Sequence, residues 1–523
     1  MPVFVVCAAL VALPWLWPLT YGPTAGTLPY LVSAATAALL LALWPRDAQQ
    51  GVRVAAAGWL AAAVLSSAIA LLQYFNAEAP LYPWVNQAQP GQAFGNLRQP
   101  NQLATLLAMG LLALRWWGQQ GRLAWGWQAG VAALLLTALA ATASRVGLVA
   151  LLAVGAMVLC WGWRAGWAPQ GAATPLRGRW ALAGLAAGLG VYVAAALALP
   201  ALLVQDEGVS GRSMVDRLQN AESTCGSRLI LWRNVLHLIA QKPWTGWGWG
   251  ELDYAHYATL YPGARFCHIL DNAHNLPLHL AVTLGLPVAL LVCALLLWAV
   301  WRGKPWREQC PARQLAWGVL AVISIHSLVE YPLWYGPFQV AALVCLWVLW
   351  AFSAHPERAN SYQNDSFRGS AWPLWPRAAV SALLLAVVAY AGWDYHRISQ
   401  IYLPVEQRAA AYQDDVMGHA SRSWLFAQPV LFAQVTTRPA TRANASWMLP
   451  AALQALHFSP EPRVIVRVIE SATLLGQDAL AMAHLARFRA AFAAEHQRWA
   501  EDNLRMLQGA RELMQPASES TSQ

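Results

Sequence analysis

Charged residues are scarce in this chain. Of its 523 residues only 11% are Asp, Glu, Lys or Arg, whereas 58% are hydrophobic. Soluble globular proteins typically carry about 25% charged residues, so the composition excludes an ordinary water-soluble fold. The formal net charge is +9, but the basic residues form no clustered face that would follow a phosphodiester backbone, which argues against a nucleic-acid partner.

Several signatures of familiar enzyme chemistry are also missing. The chain contains neither a P-loop nor a glycine-rich dinucleotide fingerprint, and no Cys/His spacing indicates zinc. The Asp-x-Asp motif of nucleotide-sugar enzymes is absent, and Glu251-Leu252-Asp253 is only a weak substitute. We therefore expect no cofactor and no metal.

Long apolar runs dominate the first three quarters of the chain. A helix that crosses the hydrocarbon core needs about 20 mostly apolar residues. The sequence therefore predicts an all-α polytopic membrane protein with about eleven transmembrane helices on that criterion. We place them near 3–20, 26–44, 54–72, 99–116, 123–142, 146–163, 180–204, 276–301, 314–331, 338–353 and 378–395.

Basic residues predict the orientation of these spans. Cytoplasmic loops are enriched in Lys and Arg, and the short loops between the spans show this pattern: alternate loops contain the basic residues, and the others contain almost none except Arg98 and Arg145. The basic residues of the alternate loops are Arg46, Arg53, Arg115, Arg122, Arg164, Arg177, Arg179, Arg302, Lys304, Arg307, Arg313, Arg358, Arg368 and Arg377. The N-terminus is then cytoplasmic, and both the large loop at 205–275 and the tail after residue 395 are outside. The first segment lacks a basic n-region, so we interpret it as a span and not as a cleaved signal peptide.

The chain after residue 395 has a different composition. It is alanine-rich and charged, with helical periodicity in 464–475 and 479–498. We expect a helix start at Ser459-Pro460-Glu461-Pro462 and an N-cap at Asp478. The predicted domains are a membrane domain at 1–395, a helical domain at 396–514 and a disordered tail at 515–523. The helical domain could bind a protein acceptor or merely cap the membrane part.

Four arginines and a tryptophan are candidates for binding an anionic, sugar-bearing substrate. Arg98 and Arg145 break the positive-inside pattern, and guanidinium groups match phosphate oxygens; snorkelling or lipid headgroups would also explain them. Arg228 and Arg233 lie on a predicted helix over 227–241, which could instead be an interfacial amphipathic helix. Trp247, within a Trp–Gly alternation at 244–250, could stack on sugar or anchor the chain at the interface.

His274 is the sharpest catalytic candidate. It precedes an apolar run, between Asn272 and Asn275, which could orient its ring. Histidine is the usual general base near neutral pH, although a histidine at a helix start can also be a cap. His326 and Glu330 are four residues apart, so we expect them to share one helix face. Glu330 could orient a catalytic group or pair with its charge.

Cys225 and Cys267 both fall in the large outside loop. A disulfide between them would close that loop around the candidate site. Two free thiols are the alternative.

The order of these residues resembles the signature region of the O-antigen ligase and polymerase superfamily. The matching positions are Ser227, Arg228, Trp232, Arg233, Lys242, Pro243, Gly246, Gly248, His274, Asn275, Leu278, Leu284, Gly285, Leu286 and Pro287. The segments 96–102 and 326–332 are similar to the bacterial protein O-oligosaccharyltransferases of the PglL type, which also carry a long periplasmic tail. The resemblance covers residues 90 to 395.

The resemblance implies transfer of an oligosaccharide from undecaprenyl diphosphate to Ser or Thr hydroxyls of a periplasmic protein such as pilin. The catalytic residues would be His274, Arg228 and Glu330. The substrate contacts would come from Arg98, Asn101, Arg145, Arg233, Trp247, Asn275, His326 and Tyr331. The enzyme would lie in the bacterial inner membrane, with its active site and C-terminus in the periplasm.

Other functions remain open at this point. An O-antigen ligase would transfer the same donor to lipid A-core, and a polymerase would transfer it to another glycan, with the same residues. The long outside tail favours a protein acceptor. A transporter is a more distant alternative, but the sequence has no internal repeat of the kind that many transporters show.

Overall fold

The computed structural model describes residues 1–121, 123–165, 176–203, 225–352 and 374–514. All regular secondary structure in these ranges is helical. The described chain divides into two compact units, each built from separate stretches of sequence. Unit 1 comprises Met1–Ala221, His274–Leu276 and Ala294–His396, and unit 2 comprises Glu222–Ala273, Pro277–Cys293 and Arg397–Gln523.

Unit 1 is built mainly from long apolar helices. They are α1 (Pro2–Leu16), α2 (Thr27–Leu43), α3 (Ala48–Tyr74), α4 (Pro100–Gln119), α5 (Trp125–Ala141), α6 (Arg145–Ala165), α7 (Leu176–Leu203), α12 (Pro311–Ser327), α13 (Gly336–Ala351) and most of α14 (Leu374–Ser399). Small residues let these helices approach closely, as in membrane bundles. A Cβ atom at Gly58 would collide with Val11, and one at Gly110 would collide with Ala63.

The helices follow the predicted spans closely. Within the described ranges, five helical stretches are long and apolar enough to cross a membrane: Ala48–Tyr74, Arg145–Gly162, Leu182–Leu203, Leu286–Arg307 and Leu374–Tyr402. The sequence-based prediction of a helical membrane protein is confirmed at this level. The number of eleven spans and their orientation stay predictions.

One predicted span is wrong in its continuity. Residues 276–301 form two helices, α10 (Leu276–Leu284) and α11 (Leu286–Gly303), with a break at Gly285. Gly285 has a φ of 85°, which only glycine adopts readily. The Trp–Gly segment packs against this break. The backbone N–H of Trp247 donates to the carbonyl of Val282 at 2.8 Å, and the backbone N–H of Leu286 donates to the carbonyl of Pro243 at 2.8 Å.

Unit 2 combines the large loop with the C-terminal segment. The loop contributes α8 (Arg228–Gln241) and α9 (Leu252–Ala258). The tail contributes α15 (Val416–Ala420), α16 (Ala427–Thr437), α17 (Ala445–Phe458), α18 (Pro462–Leu474), α19 (Asp478–Ala491) and α20 (Ala493–Met514). The loop, which the sequence predicts as part of the membrane domain at 1–395, contributes aromatic side chains to a hydrophobic core with the tail. Tyr257 of α9 lies in that core, beside residues of α16 to α19.

Polar contacts reinforce the attachment of α9 to the tail. The Tyr257 hydroxyl lies 2.8 Å from Nδ1 of His484, and Arg487 Nε donates to the carbonyl of Ala258 at 3.0 Å. Glu251 and His457 form a further pair at 2.7 Å. The loop is therefore folded onto helices that follow it by about two hundred residues, as the separations of 206 and 227 residues show.

The tail helices correct two local predictions. The start at 459–462 is confirmed, because α18 begins at Pro462. The predicted helix over 479–498 is interrupted at Phe492, whose φ of −140° and ψ of 63° are not helical, and Asp478 is the first helical residue and not the N-cap. The predicted disordered tail at 515–523 and the loop residues 205–224 lie outside the described residues.

Cys225 and Cys267 form a disulfide, with their Cα atoms 5.4 Å apart. The bond closes a ring that contains α8 and α9. Of the two alternatives that the sequence left open at these positions, the structure has the disulfide and not the two free thiols.

We predict that His484 makes unit 2 sensitive to acid. Burial, and then the charge of Arg487, lower its pKa from 6.5 to about 4. Between these two pKa values the unfolded chain binds more protons than the folded chain. The stabilisation that comes from a neutral His484 is therefore complete above pH 6.5, and it is lost as the pH falls towards 4. In thermal unfolding of the purified protein, the stability advantage of wild type over His484→Asn should shrink between pH 7 and about 4.5. Parallel curves for the two proteins would contradict this assignment.

Candidate functional site

The candidate site in unit 1 begins where α12 ends. The helix stops at Ser327, so Glu330 lies in the following turn and not on the helix as predicted. The turn remains tight, because the Glu330 N–H donates to the carbonyl of His326 at 2.9 Å. Pro332 then starts a short 3-10 helix. The turn holds the Glu330 carboxylate in a nearly buried position, with 8% of the residue exposed.

His274 is the histidine that pairs with this carboxylate. It has a left-handed backbone, with a φ of 49°, and it lies just before the start of α10 at Leu276. Its Nδ1 is 2.7 Å from Oε2 of Glu330, and its ring meets Tyr331 edge-on at 5.0 Å between centroids. A carboxylate accepts hydrogen bonds, so Nδ1 donates and Nε2 is the basic nitrogen of the neutral ring.

The other oxygen of Glu330 accepts from Asn101. The Asn101 Nδ2 donates to Oε1 at 3.3 Å, and its Oδ1 accepts from the Ser144 hydroxyl at 2.6 Å. Three helix termini thus meet here: the first turn of α4, the residue before α6, and the turn after α12. Ser144 was not among the predicted site residues, although its place directly before Arg145, at a helix start, is a signal that could have identified it.

His326 lies beneath this cluster and is 1% exposed. Its Nδ1 is 2.9 Å from the Thr105 hydroxyl, which itself donates to the carbonyl of Asn101 at 3.0 Å. The single hydroxyl proton is used in that bond, so His326 Nδ1 is the donor to Thr105. This burial suits a supporting role for His326 better than the substrate contact that the sequence predicted.

Asn275 and Tyr331 complete the neighbourhood of the pair. Asn275 Nδ2 donates to the carbonyl of Leu328 at 2.9 Å, which fastens the chain beside His274 to the turn that carries Glu330. Tyr331 stacks on Tyr335 at 5.7 Å. The structure therefore brings together six predicted site residues, listed here in chain order: Asn101, His274, Asn275, His326, Glu330 and Tyr331.

Arg98 and Arg145 differ in what holds them. Arg98, with a φ of 61°, donates to the Pro18 carbonyl at 2.8 Å and to Asn86 Oδ1 at 3.0 Å, and it also contacts the Thr20 hydroxyl. These acceptors are neutral, so the guanidinium charge is not compensated by them. Arg145 is an exposed first residue of α6, directly after the network residue Ser144.

The remaining predicted residues belong to unit 2. Arg228 opens α8, where the Ser227 hydroxyl caps the helix by accepting from the Ile230 N–H at 3.4 Å. Arg233 is exposed on the same helix. The predicted helix over 227–241 is therefore confirmed, while the roles of its arginines stay predictions.

Trp247 is less available for stacking than its neighbours. Lys242 Nζ lies 4.1 Å from the centre of its ring, and its indole N–H donates to the Leu238 carbonyl at 3.0 Å. Trp244 and Trp249 are 77% and 60% exposed. If this segment stacks on a sugar, the exposed ring of Trp244 is more accessible than that of Trp247.

The pair and its supports have the chemistry of a general base. A histidine whose Nδ1–H is held by a carboxylate presents a defined tautomer, and the carboxylate stabilises the imidazolium that forms on proton uptake. Among the described residues no group of three His, Cys, Asp or Glu side chains could hold a metal ion.

Comparison with known proteins connects this site with glycan transfer. Residues 130–293 match the family model described as O-Antigen ligase, residues 93–117 match Protein glycosylation ligase, and residues 314–506 match Virulence factor membrane-bound polymerase, C-terminal. The chain is also 29% identical over 280 residues to a general O-oligosaccharyltransferase of Acinetobacter baylyi. This alignment covers 53% of the chain and 47% of the relative.

These similarities confirm the resemblance that the motifs predicted. The chain resembles oligosaccharyltransferases of the PglL type within the O-antigen ligase and polymerase superfamily. It spans about half the length of the curated relative that it matches, 47%. The match described as Protein glycosylation ligase includes Arg98 and Asn101, and the O-Antigen ligase match includes Arg145, Arg228 and His274.

We predict that Arg98 contributes more to the free energy of unfolding than Arg145 does. Arg98→Ala removes bonds to three acceptors in two segments and should lower the free energy of unfolding by about 1 to 2 kcal/mol. Arg145→Ala, at an exposed helix start, should change it by less than about 0.5 kcal/mol. Thermal unfolding of the purified variants measures both, with the conservative change Arg98→Lys as an intermediate. Equal losses for the two alanine variants would show that Arg98 does not fasten these segments.

Proposed function

We propose that this protein is a glycosyltransferase that moves a preassembled oligosaccharide from undecaprenyl diphosphate to Ser or Thr hydroxyls of a protein. The observation that carries the proposal is the 2.7 Å contact between His274 Nδ1 and Glu330 Oε2. It lies within a chain whose similarities are to O-antigen ligases and to a general O-oligosaccharyltransferase. A base of this kind is what an acceptor hydroxyl requires, because a neutral hydroxyl is a weak nucleophile.

In the proposed reaction, Nε2 of His274 accepts the proton of the acceptor hydroxyl. The hydroxyl oxygen attacks the anomeric carbon and forms the new glycosidic bond. The bond from that carbon to the phosphate oxygen breaks, and the lipid diphosphate leaves with the electron pair. Attack from the opposite side inverts the anomeric configuration. Glu330 remains a carboxylate throughout and stabilises the imidazolium.

The negative charge on the departing diphosphate requires cationic partners. Arg98 and Arg145 are the guanidinium groups of unit 1 for which we propose this task, and the roles of Arg228 and Arg233 stay predictions from the sequence. Arginine suits this task because it stays charged and bonds two phosphate oxygens at once. Stabilising charge that develops in the transition state lowers the barrier directly. The donor brings its own activated leaving group, so no nucleotide is consumed.

A protein acceptor is favoured over lipid A-core or a growing glycan. The match of residues 93–117 to the family model described as Protein glycosylation ligase supports this preference, beside the similarity to a general O-oligosaccharyltransferase. A pilin-like protein is the acceptor we propose. The enzyme would lie in the bacterial inner membrane, with a cytoplasmic N-terminus and with the His274 site and the C-terminal segment in the periplasm. This orientation follows the distribution of basic residues between the apolar runs.

We predict that His274→Ala lowers the transfer rate about 100-fold or more, the usual contribution of a positioned general base. Glu330→Gln, which keeps the shape and removes the charge, should lower it about 10-fold to 1000-fold. The measurement is the glycan-sized mass increase on pilin in cells that make the lipid-linked glycan, at equal membrane expression. His419→Ala, a histidine of α15, is the matched control and should retain activity.

The same cells also identify the acceptor, because the molecule that carries the glycan can be determined in them. Modified pilin supports protein glycosylation. Unmodified pilin with glycan on lipid A-core would identify a ligase, and lengthened glycan chains would identify a polymerase. Undiminished transfer by His274→Ala would remove His274 as the base.

A further inference from the structure

The Ser144 hydroxyl has a fixed direction of hydrogen bonding. It is 1% exposed and lies directly before α6, where its oxygen accepts from the Gly147 N–H at 3.0 Å. A hydroxyl has one proton to donate, and the Asn101 Oδ1 at 2.6 Å can only accept it. The same oxygen thus caps the helix and points its proton at the Asn101 amide.

This bond decides which end of the Asn101 amide faces Glu330. Since Oδ1 is held by Ser144, the Nδ2 group is turned towards Glu330 Oε1, 3.3 Å away. A reversed amide would place Oδ1 against the carboxylate, and two acceptors would face each other. The backbone of Asn101 is also fixed, because its carbonyl accepts from Thr105 at 3.0 Å. The side-chain orientation is therefore the remaining degree of freedom, and Ser144 removes it.

We propose that Ser144 is a positioning residue that acts through Asn101 to hold the Glu330 carboxylate against His274. The direction of donation runs from Ser144 to Asn101 and from Asn101 to Glu330, so Oε2 is kept for the His274 Nδ1–H at 2.7 Å. This inference rests on the proposed function, since the pair it positions is the proposed base. It adds a residue from the start of α6 to a site otherwise built by α4, the turn after α12 and the chain before α10.

The position of Ser144 within its turn allows a matched control. Thr142 is also buried, two residues earlier, and its hydroxyl accepts from the Ser144 N–H at 3.2 Å and donates to the Leu139 carbonyl at 2.7 Å. It takes part in the same turn without a bond to Asn101 or Glu330. Thr142→Val therefore removes a buried hydroxyl of the turn and leaves the proposed line of donation intact.

The test is a double-mutant cycle on the purified full-length protein, with a lipid diphosphate-linked oligosaccharide as donor and pilin as acceptor. Ser144→Ala should lower kcat about 10-fold and change the KM for the donor less than about 2-fold, because the loss falls on the base and not on binding. Asn101→Ala should lower kcat by at least as much. The double variant should match Asn101→Ala within about 2-fold, since residues that act in series are not additive. Thr142→Val should keep kcat within about 2-fold of wild type, as expected for a residue outside the coupled set.

Several results would overturn the inference. Multiplied losses in the double variant would mean that Ser144 does not act through Asn101. A raised KM with unchanged kcat in Ser144→Ala would make Ser144 a binding residue. Equal loss in Thr142→Val would mean that any damage to this turn suffices. If Ser144→Ala fails to accumulate, Ser144→Gly takes its place in the cycle, because glycine is tolerated at helix N-caps.

Failure of the proposed function gives a different result. A wild-type protein that transfers no glycan to pilin refutes pilin as the acceptor, and the same cycle is then measured with the acceptor that is modified. A wild-type protein that glycosylates pilin, with multiplied losses in the cycle, refutes the role of Ser144 alone.

Discussion

The carboxylate of Glu330 and the imidazole of His274 lie 2.7 Å apart although 56 residues separate them in the chain. A carboxylate that is almost buried costs several kcal/mol unless it is paired and hydrogen-bonded. Here each oxygen accepts a bond, one from His274 and one from Asn101. Satisfying this one group therefore constrains the turn after α12, the start of α4 and the chain before α10. The other residues of the unit 1 site are positioned by these hydrogen-bonded elements.

The backbone around the site adopts conformations that ordinary residues avoid. Arg98 and His274 both have positive φ values, 61° and 49°, and such positions each cost of order 1 kcal/mol or more. They persist because neighbouring bonds hold them: Arg98 through the Pro18 carbonyl and Asn86, and the chain beside His274 through Asn275 and the Leu328 carbonyl. Each left-handed residue lies two residues before a helix of the site: Arg98 before α4, which begins at Pro100, and His274 before α10, which begins at Leu276. The strained residues therefore occur where the chain turns into the helices that position Asn101 and His274.

Local features of this fold are readable from the sequence, whereas features set by contacts between distant residues are not. The helix at 227–241 could be predicted, because helical periodicity is local. The disulfide between Cys225 and Cys267 was one of two alternatives that the sequence left open, and the roles of His274 and Glu330 stay predictions. The break at Gly285 could not be predicted, since it depends on the Trp244 carbonyl approaching where a side chain would stand. The bond between Asn101 and Glu330 spans 229 residues, and no spacing rule reports such a meeting. The same applies to the loop that packs on the tail through Tyr257 and His484.

The charge of the pair connects this geometry with the proposed reaction. In the proposed reaction the His274 ring takes up the proton of the acceptor hydroxyl, and the Glu330 carboxylate beside it stabilises the imidazolium that forms. Asn101 and Ser144 suit this step because both are neutral side chains: they orient the carboxylate through hydrogen bonds and place no positive charge of their own beside it. The proton transfer that we propose thus depends on a line of neutral donors that begins directly before α6.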